Sequence, residues 1–176
     1  KRLIFNAKGG FSNMRFGEDV DFSYRVAEGN YSTAFFQDAW VYHKRRNTFR
    51  TFFKQVFNSG IARIHLSIRH KGTLKLVHLL PTAFFLGSLF LILIALVALF
   101  INPIFSLIAI SPLILFSVII FLDALRQGRG VKVALLSIAT SFIQLIGYGS
   151  GLVIGWWNII IKGNKNYAAF RKNFYK

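Results

Sequence analysis

Hydrophobic and polar positions follow three different rhythms along this chain, and each predicts a different kind of element. Over residues 18–28 the apolar positions Val20, Tyr24 and Ala27 recur at helical spacing, and Gly29 and Asn30 supply a stop, which predicts a short helix. Glu18, Asp19 and Asp21 crowd its first turn, where the helix dipole favours negative charge. Residues 31–36 and 39–43 are rich in aromatic side chains and are separated by Gln37 and Asp38, a pattern that predicts two strands. Gly9 and Gly10 mark a turn that permits positive φ or a close backbone approach. Residues 1–46 are therefore expected to form part of an α/β domain, although the segment is too short to close a core alone.

The second rhythm is strictly helical. Phe49, Phe52, Phe53, Val56, Phe57, Gly60, Ile61 and Ile64 fall on one face, while Arg50, Thr51, Lys54, Gln55 and Asn58 lie off it, and Asn47 is placed to cap the start. Residues 47–78 thus read as a basic amphipathic helix followed by a basic linker. With four Phe on its apolar side and a hydrophobic span next in line, the helix is expected to lie in a membrane interface. Packing on the core of the polar segment is the alternative.

The third rhythm is continuous apolarity. Residues 79–101 and 104–122 carry no charge at all, and residues 133–161 form a longer block interrupted by Gly147, Gly149, Gly151 and Gly155. A bilayer core about 30 Å thick needs about 20 apolar residues at ~1.5 Å each, so the first two blocks are long enough to cross. The third either crosses or breaks and returns within a protein-lined cavity. The turn at Asn102 and Pro103 is uncharged, whereas Arg126, Arg129 and Lys132 follow the second block, which predicts a hairpin with both ends cytoplasmic. Three full crossings would then put the basic tail, residues 162–176, on the outside, against the same rule.

Composition narrows the partners. The 176 residues carry a formal charge of +16, yet 54% of them are hydrophobic and much of that lies in the three blocks. The basic excess is accordingly expected to meet membrane lipids with anionic headgroups, or phosphorylated ligands, and not nucleic acid. There is no Cys, which excludes disulfides and Cys-ligated metals. The chain opens at Lys1 without a Met or a signal sequence, so further protein is expected upstream.

Candidate chemistry is concentrated in the polar segment. All acids other than Glu28, Asp38 and Asp123 lie in Gly17-Glu18-Asp19-Val20-Asp21. Three carboxylates so close repel one another unless a metal or basic groups offset them. The same spacing suits an ordinary helix-start cluster. Downstream, His43-Lys44-Arg45-Arg46 sets an imidazole beside three cations.

In order along the chain, these segments resemble the C-terminal part of membrane-associated family 2 glycosyltransferases of bacterial type. The residues that carry the resemblance are Gly9-Gly10-Phe11, Gly17-Glu18-Asp19-Val20-Asp21-Phe22-Ser23-Tyr24-Arg25, Gly29, Asp38-Ala39-Trp40-Val41-Tyr42-His43 with Arg45-Arg46, and Gln55 on the amphipathic helix; Phe22 replaces the usual Leu. The resemblance covers about the first 65 residues closely and the apolar blocks in pattern only.

The resemblance implies a GT-A fold whose donor-binding half, with its Asp-x-Asp metal motif, precedes Lys1, so that this chain alone would be inactive. It implies that Asp19 is the general base for the acceptor hydroxyl, with Glu18 beside it, and that Gly9, Gly10 and Gln55 contact the acceptor. It implies that His43 completes a Mg²⁺ or Mn²⁺ site and that Arg45 and Arg46 hold the departing diphosphate. The expected reaction is an inverting transfer from a nucleotide-sugar donor to a lipid-linked or cell-envelope glycan, with the catalytic part on the cytoplasmic side of a cell inner membrane. Processive members carry Gln-x-x-Arg-Trp, of which this chain keeps only Gln55, so a single transfer fits better than polymer synthesis. A non-catalytic anchor or scaffold binding anionic lipid is the reading from another class.

Overall fold

The computed structural model describes residues 2–42 and 48–169. Six α-helices follow in order: α1 (Arg2–Ala7), α2 (Glu18–Glu28), α3 (Phe49–Arg69), α4 (Leu80–Leu99), α5 (Pro103–Arg126) and α6 (Gly130–Trp156). A 3₁₀ turn at Leu76–Leu79 leads into α4, and a π turn at Trp157–Ile161 prolongs α6. Among the described residues there is no strand, so the expected α/β class is wrong and the fold is all-α. Residues 31–42 contain no regular element beyond a turn in which the Ala39 amide bonds the Phe36 carbonyl. A strand is stable only when its amides and carbonyls find a neighbouring strand, and none of the described segments offers one. Their aromatic side chains stay in the open accordingly, with Phe35, Trp40 and Tyr42 all largely exposed.

Two of the expected helices form with the expected limits. α2 starts at Glu18 after Gly17, which adopts a left-handed φ of 80°, and it ends at Gly29. α3 is capped by Thr48, whose hydroxyl accepts a bond from the Thr51 amide at 3.2 Å. Asn47, the cap expected from sequence, lies outside the described residues.

Three helical stretches, Leu76–Leu99, Pro103–Arg126 and Gly130–Ile161, are long and apolar enough to cross a membrane, which makes this a multi-pass membrane protein by length and composition. The turn between α4 and α5 is closed by Asn102, whose side chain accepts from the Ile104 amide at 2.9 Å, with Pro103 opening the helix. Pro112 inside α5 cannot bond the carbonyl of Ile108, but the Ser111 hydroxyl donates to that oxygen at 2.8 Å. A carbonyl left bare in lipid would cost several kcal/mol, so this substitution of one donor for another keeps α5 continuous. Small residues, Ser88, Ala95, Ala98, Ala124 and Ala134, fill the buried positions of the three helices, while Phe90, Leu93, Leu96 and Leu107 face outward. Phe84, Phe116 and Phe142 meet as an aromatic triangle joining α4, α5 and α6, with centroids 4.9 to 5.7 Å apart.

Gly147, Gly149, Gly151 and Gly155 of α6 are packing positions, and the helix runs through them unbroken. Gly147, Gly151 and Gly155 line one face at intervals of four, and α3 lies directly on it. A Cβ on Gly151 would collide with the Phe57 backbone, one on Gly60 with the Tyr148 carbonyl, and one on Gly155 would sit 3.0 Å from the Ile61 Cα. Gly149, on another face, admits Pro81 and Phe85 of α4 equally closely. The apolar stripe of α3 that the sequence assigned to a membrane surface is therefore covered by α6, with Phe57, Ile61, Ile64, Leu152 and Ile159 forming a buried cluster. After the π turn the chain folds back, and the His65 Nε2–H donates to the Tyr167 carbonyl at 2.8 Å.

Candidate acidic site at the start of α2

The acidic motif sits where α2 begins, between the Gly turn and the second half of α3. Asp19 and Asp21 are two residues apart, which on a helix at 100° per residue turns them to nearly opposite faces. Asp21 points inward and is 1% exposed; Asp19 points to water. The difference in their surroundings follows from this single step of geometry.

Asp21 is surrounded by cations. Arg25, one turn on, bonds its Oδ2 through Nε at 3.1 Å and Nη2 at 3.0 Å. From α3, the His70 Nε2 reaches its Oδ1 at 3.0 Å and the Arg69 Nη1 at 3.6 Å. Burial opposes ionisation of Asp21, but the His70 bond and the Arg25 guanidinium outweigh it and hold this carboxyl below the usual carboxylate range. His70 uses its second nitrogen as well, since Nδ1 lies 2.7 Å from the Glu28 Oε1. A ring with a carboxylate on each nitrogen must donate twice, which describes imidazolium. Burial favours the neutral ring, yet Glu28 and Asp21 together raise the proton affinity of His70 above that of free imidazole.

Arg25 carries the network to the Gly turn. Its guanidinium donates to the Lys8 carbonyl and, at 2.6 Å, to the Gly10 carbonyl. Gly9 and Gly10 have φ values of 72° and 65°, which only glycine adopts cheaply and which turn both carbonyls to the guanidinium side. Gly10 is buried under the Phe5 ring, and Phe11 meets both Phe5 and Phe22 edge to face while Phe5 and Phe22 are tilted at 55°. One ion cluster thus fixes the Gly turn, α2 and α3 relative to one another.

Asp19 is left outside this cluster. Among the described residues its Oδ1 accepts only the neighbouring Val20 amide at 2.9 Å, and its carboxylate is exposed on the first turn of α2. Glu18 is half-buried beside it. The Gly9–Gly10 turn is tied to the Asp21 side of α2 through Arg25, whereas Asp19 points away from it, and Gln55 is exposed on α3 about two helical turns before Ala62, which packs under Gly17. His43, Arg45 and Arg46 lie outside the described residues.

Comparison of the chain with known protein families, with curated proteins and with solved structures found no match. Among the described residues no group of three His, Asp or Glu side chains is placed to hold a metal ion, and Asp21 is already occupied by Arg25, Arg69 and His70. The resemblance implies metal ligands upstream of Lys1 and at His43, and His43 lies outside the described residues. Arg69 and His70 were missed in the sequence because they lie 48 and 49 positions from Asp21; the Asp21–Arg25 pair, at a spacing of four, was legible.

Proposed function

We propose that this chain belongs to a membrane-bound enzyme that transfers a sugar, with inversion, from a nucleotide-diphosphate donor to a lipid-linked or cell-envelope glycan, and that Asp19 is the base on the acceptor. The observation that carries this reading is the division of labour between two neighbouring carboxylates. Asp21 is buried and neutralised by cations, which leaves it no lone pair for chemistry, whereas Asp19 is ionisable, exposed and held on a turn that the Asp21 cluster rigidifies. In the proposed step the Asp19 carboxylate takes the proton of the acceptor hydroxyl, that oxygen attacks the anomeric carbon, and the carbon–oxygen bond to the diphosphate breaks with its electron pair leaving on the nucleotide. No step is assigned to a metal.

Two further features support the reading. Gly9 is exposed at a turn joined to α2 through Arg25, and with no side chain it leaves its backbone open to a sugar hydroxyl. One of the helices long enough to cross a membrane, α6, packs directly against α3, which supports an acceptor held at the bilayer surface. The test is transfer of a labelled sugar from nucleotide-diphosphate donors into lipid or glycan by membranes holding the full-length protein, and absence of transfer from every common donor class would remove the proposal.

A further inference from the structure

A cavity of about 570 Å³ opens between the loop before α2, the second half of α3, the π turn and the returning tail. Its polar rim is built by Arg15, His65, Arg69 and Lys165, and no acidic residue among the described ones lines it. Its inner wall is apolar, formed by the buried side chains of Ile61 and Ile159. Arg69 shares its charge with Asp21 at 3.6 Å, Arg15 lies over the Phe16 ring at 5.8 Å, and Lys165 comes from the returning tail, which His65 holds through the Tyr167 carbonyl and which packs on the buried cluster through Tyr167 and Ala169. A recess with cations on one side and aliphatic side chains on the other fits neither a free sugar nor a neutral lipid tail. It fits an amphiphile with an anionic head.

The position of the recess strengthens the match. Ile159 belongs to the π turn that ends the third membrane-compatible helix, and Ile61 belongs to the face of α3 packed on that helix. A ligand whose head met Arg15 and Lys165 would therefore direct its chain along the helices that can lie in lipid. Guanidinium and ammonium groups together suit phosphate oxygens, the former by paired donation and the latter as a point charge.

We propose that this cavity binds the phosphomonoester head of a lipid, with the head on Arg15 and Lys165 and the chain along Ile61 and Ile159. The proposal uses none of the acceptor-base reading of Asp19 and stands or falls without it. The probes are phosphatidic acid, phosphatidylcholine and inorganic phosphate, each titrated against the full chain in neutral detergent and read by native mass spectrometry and by the shift in melting temperature.

Phosphatidic acid is expected to bind at least tenfold more tightly than phosphatidylcholine, and inorganic phosphate to compete only at far higher concentration. Lys165→Gln, an exposed change on the tail, and the double variant with Arg15→Gln are expected to weaken phosphatidic acid by about tenfold or more, the double variant further than the single one. Lys132→Gln, at the start of α6 and away from the cavity, is expected to change nothing. Equal binding of the two lipids, or unchanged phosphatidic acid binding in Lys165→Gln, overturns the proposal. Inorganic phosphate binding as tightly as the lipid also overturns it, because the apolar wall would then have no role.

Discussion

At the scale of single residues, one carboxylate holds the polar segment together and its neighbour is free. Asn at position 21 keeps the shape but removes the charge that Arg25, Arg69 and His70 share, leaving cations packed against one another. Breaking a buried pair costs about 3 to 5 kcal/mol, and because Arg25 and Arg69 keep access to water the lower end applies; Asp21→Asn is expected to destabilise the polar segment by about 3 kcal/mol in denaturant unfolding, against little change for Asp19→Asn. The same cluster has a pH dependence with a fixed sign. The proton affinity of His70 is raised in the folded state, so its contribution is complete below the ordinary imidazole value of about 6.5 and is lost as pH rises through the higher folded value. Asp21 is depressed, so its contribution is present above about 3.9 and is lost only as pH falls through the lower folded value. Contact between α2 and α3 is therefore strongest between these limits and loosens toward alkaline pH. Hydrogen exchange at α2 amides, corrected for intrinsic rates, should show that loosening in the wild type and not in His70→Gln; an α2 protection independent of pH from 6 to 9 in the wild type would contradict the assignment of imidazolium.

At the scale of elements, what was legible in the sequence was local. The limits of α2, the stripe of α3 and the three apolar blocks all follow from periodicity within one segment, and each appears where the pattern puts it. What failed depended on partners elsewhere in the chain. Residues 31–42 have the composition of strands, but composition cannot supply the neighbour that a strand requires. The Phe face of α3 has the composition of a lipid-facing surface, yet Gly147, Gly151 and Gly155 had already shaped α6 to receive it, a match visible only when two helices are compared position by position. Likewise Asp19 and Asp21 stood together in the motif, and only the placement of Arg69 and His70 on α3 separates their roles. The glycine contact makes its own prediction. Gly151→Ala sets a methyl against the Phe57 backbone, which no rotamer change can relieve, so it should force α3 from α6 at a cost of about 1 to 3 kcal/mol, whereas Gly87→Ala, which meets nothing, should cost none. Equal melting temperatures for the two variants in detergent would contradict the close packing.

At the scale of the whole molecule, the fold resolves the conflict in the charge pattern. The tail reaches His65 of α3, and α3 in turn holds Asp21 through Arg69 and His70, so residues 2–30 and residues 165–169 are expected to lie on one side of the membrane. An odd number of complete crossings after α3 would part them. The α4–α5 hairpin is therefore expected to cross while the unbroken α6 stays on the side from which it starts without a complete crossing, and the basic tail obeys the same charge rule as the basic linker. The chain has no Cys, so single Cys residues placed at Asn13 and Asn164 can be labelled without background, and both should react from the same face of sealed vesicles; reaction from opposite faces would contradict the fold-back. Whether the exposed Asp19 carboxylate takes the acceptor proton is the central question. The most direct measurement is turnover of a nucleotide-diphosphate sugar by full-length protein carrying Asp19→Asn, on folded enzyme with donor affinity measured separately. The account predicts a fall of about 10² to 10⁴ in turnover with donor affinity and melting temperature retained, the range for loss of a general base. Near-normal turnover in Asp19→Asn would contradict it and return Glu18, Asp19 and Asp21 to the role of a helix-start cluster.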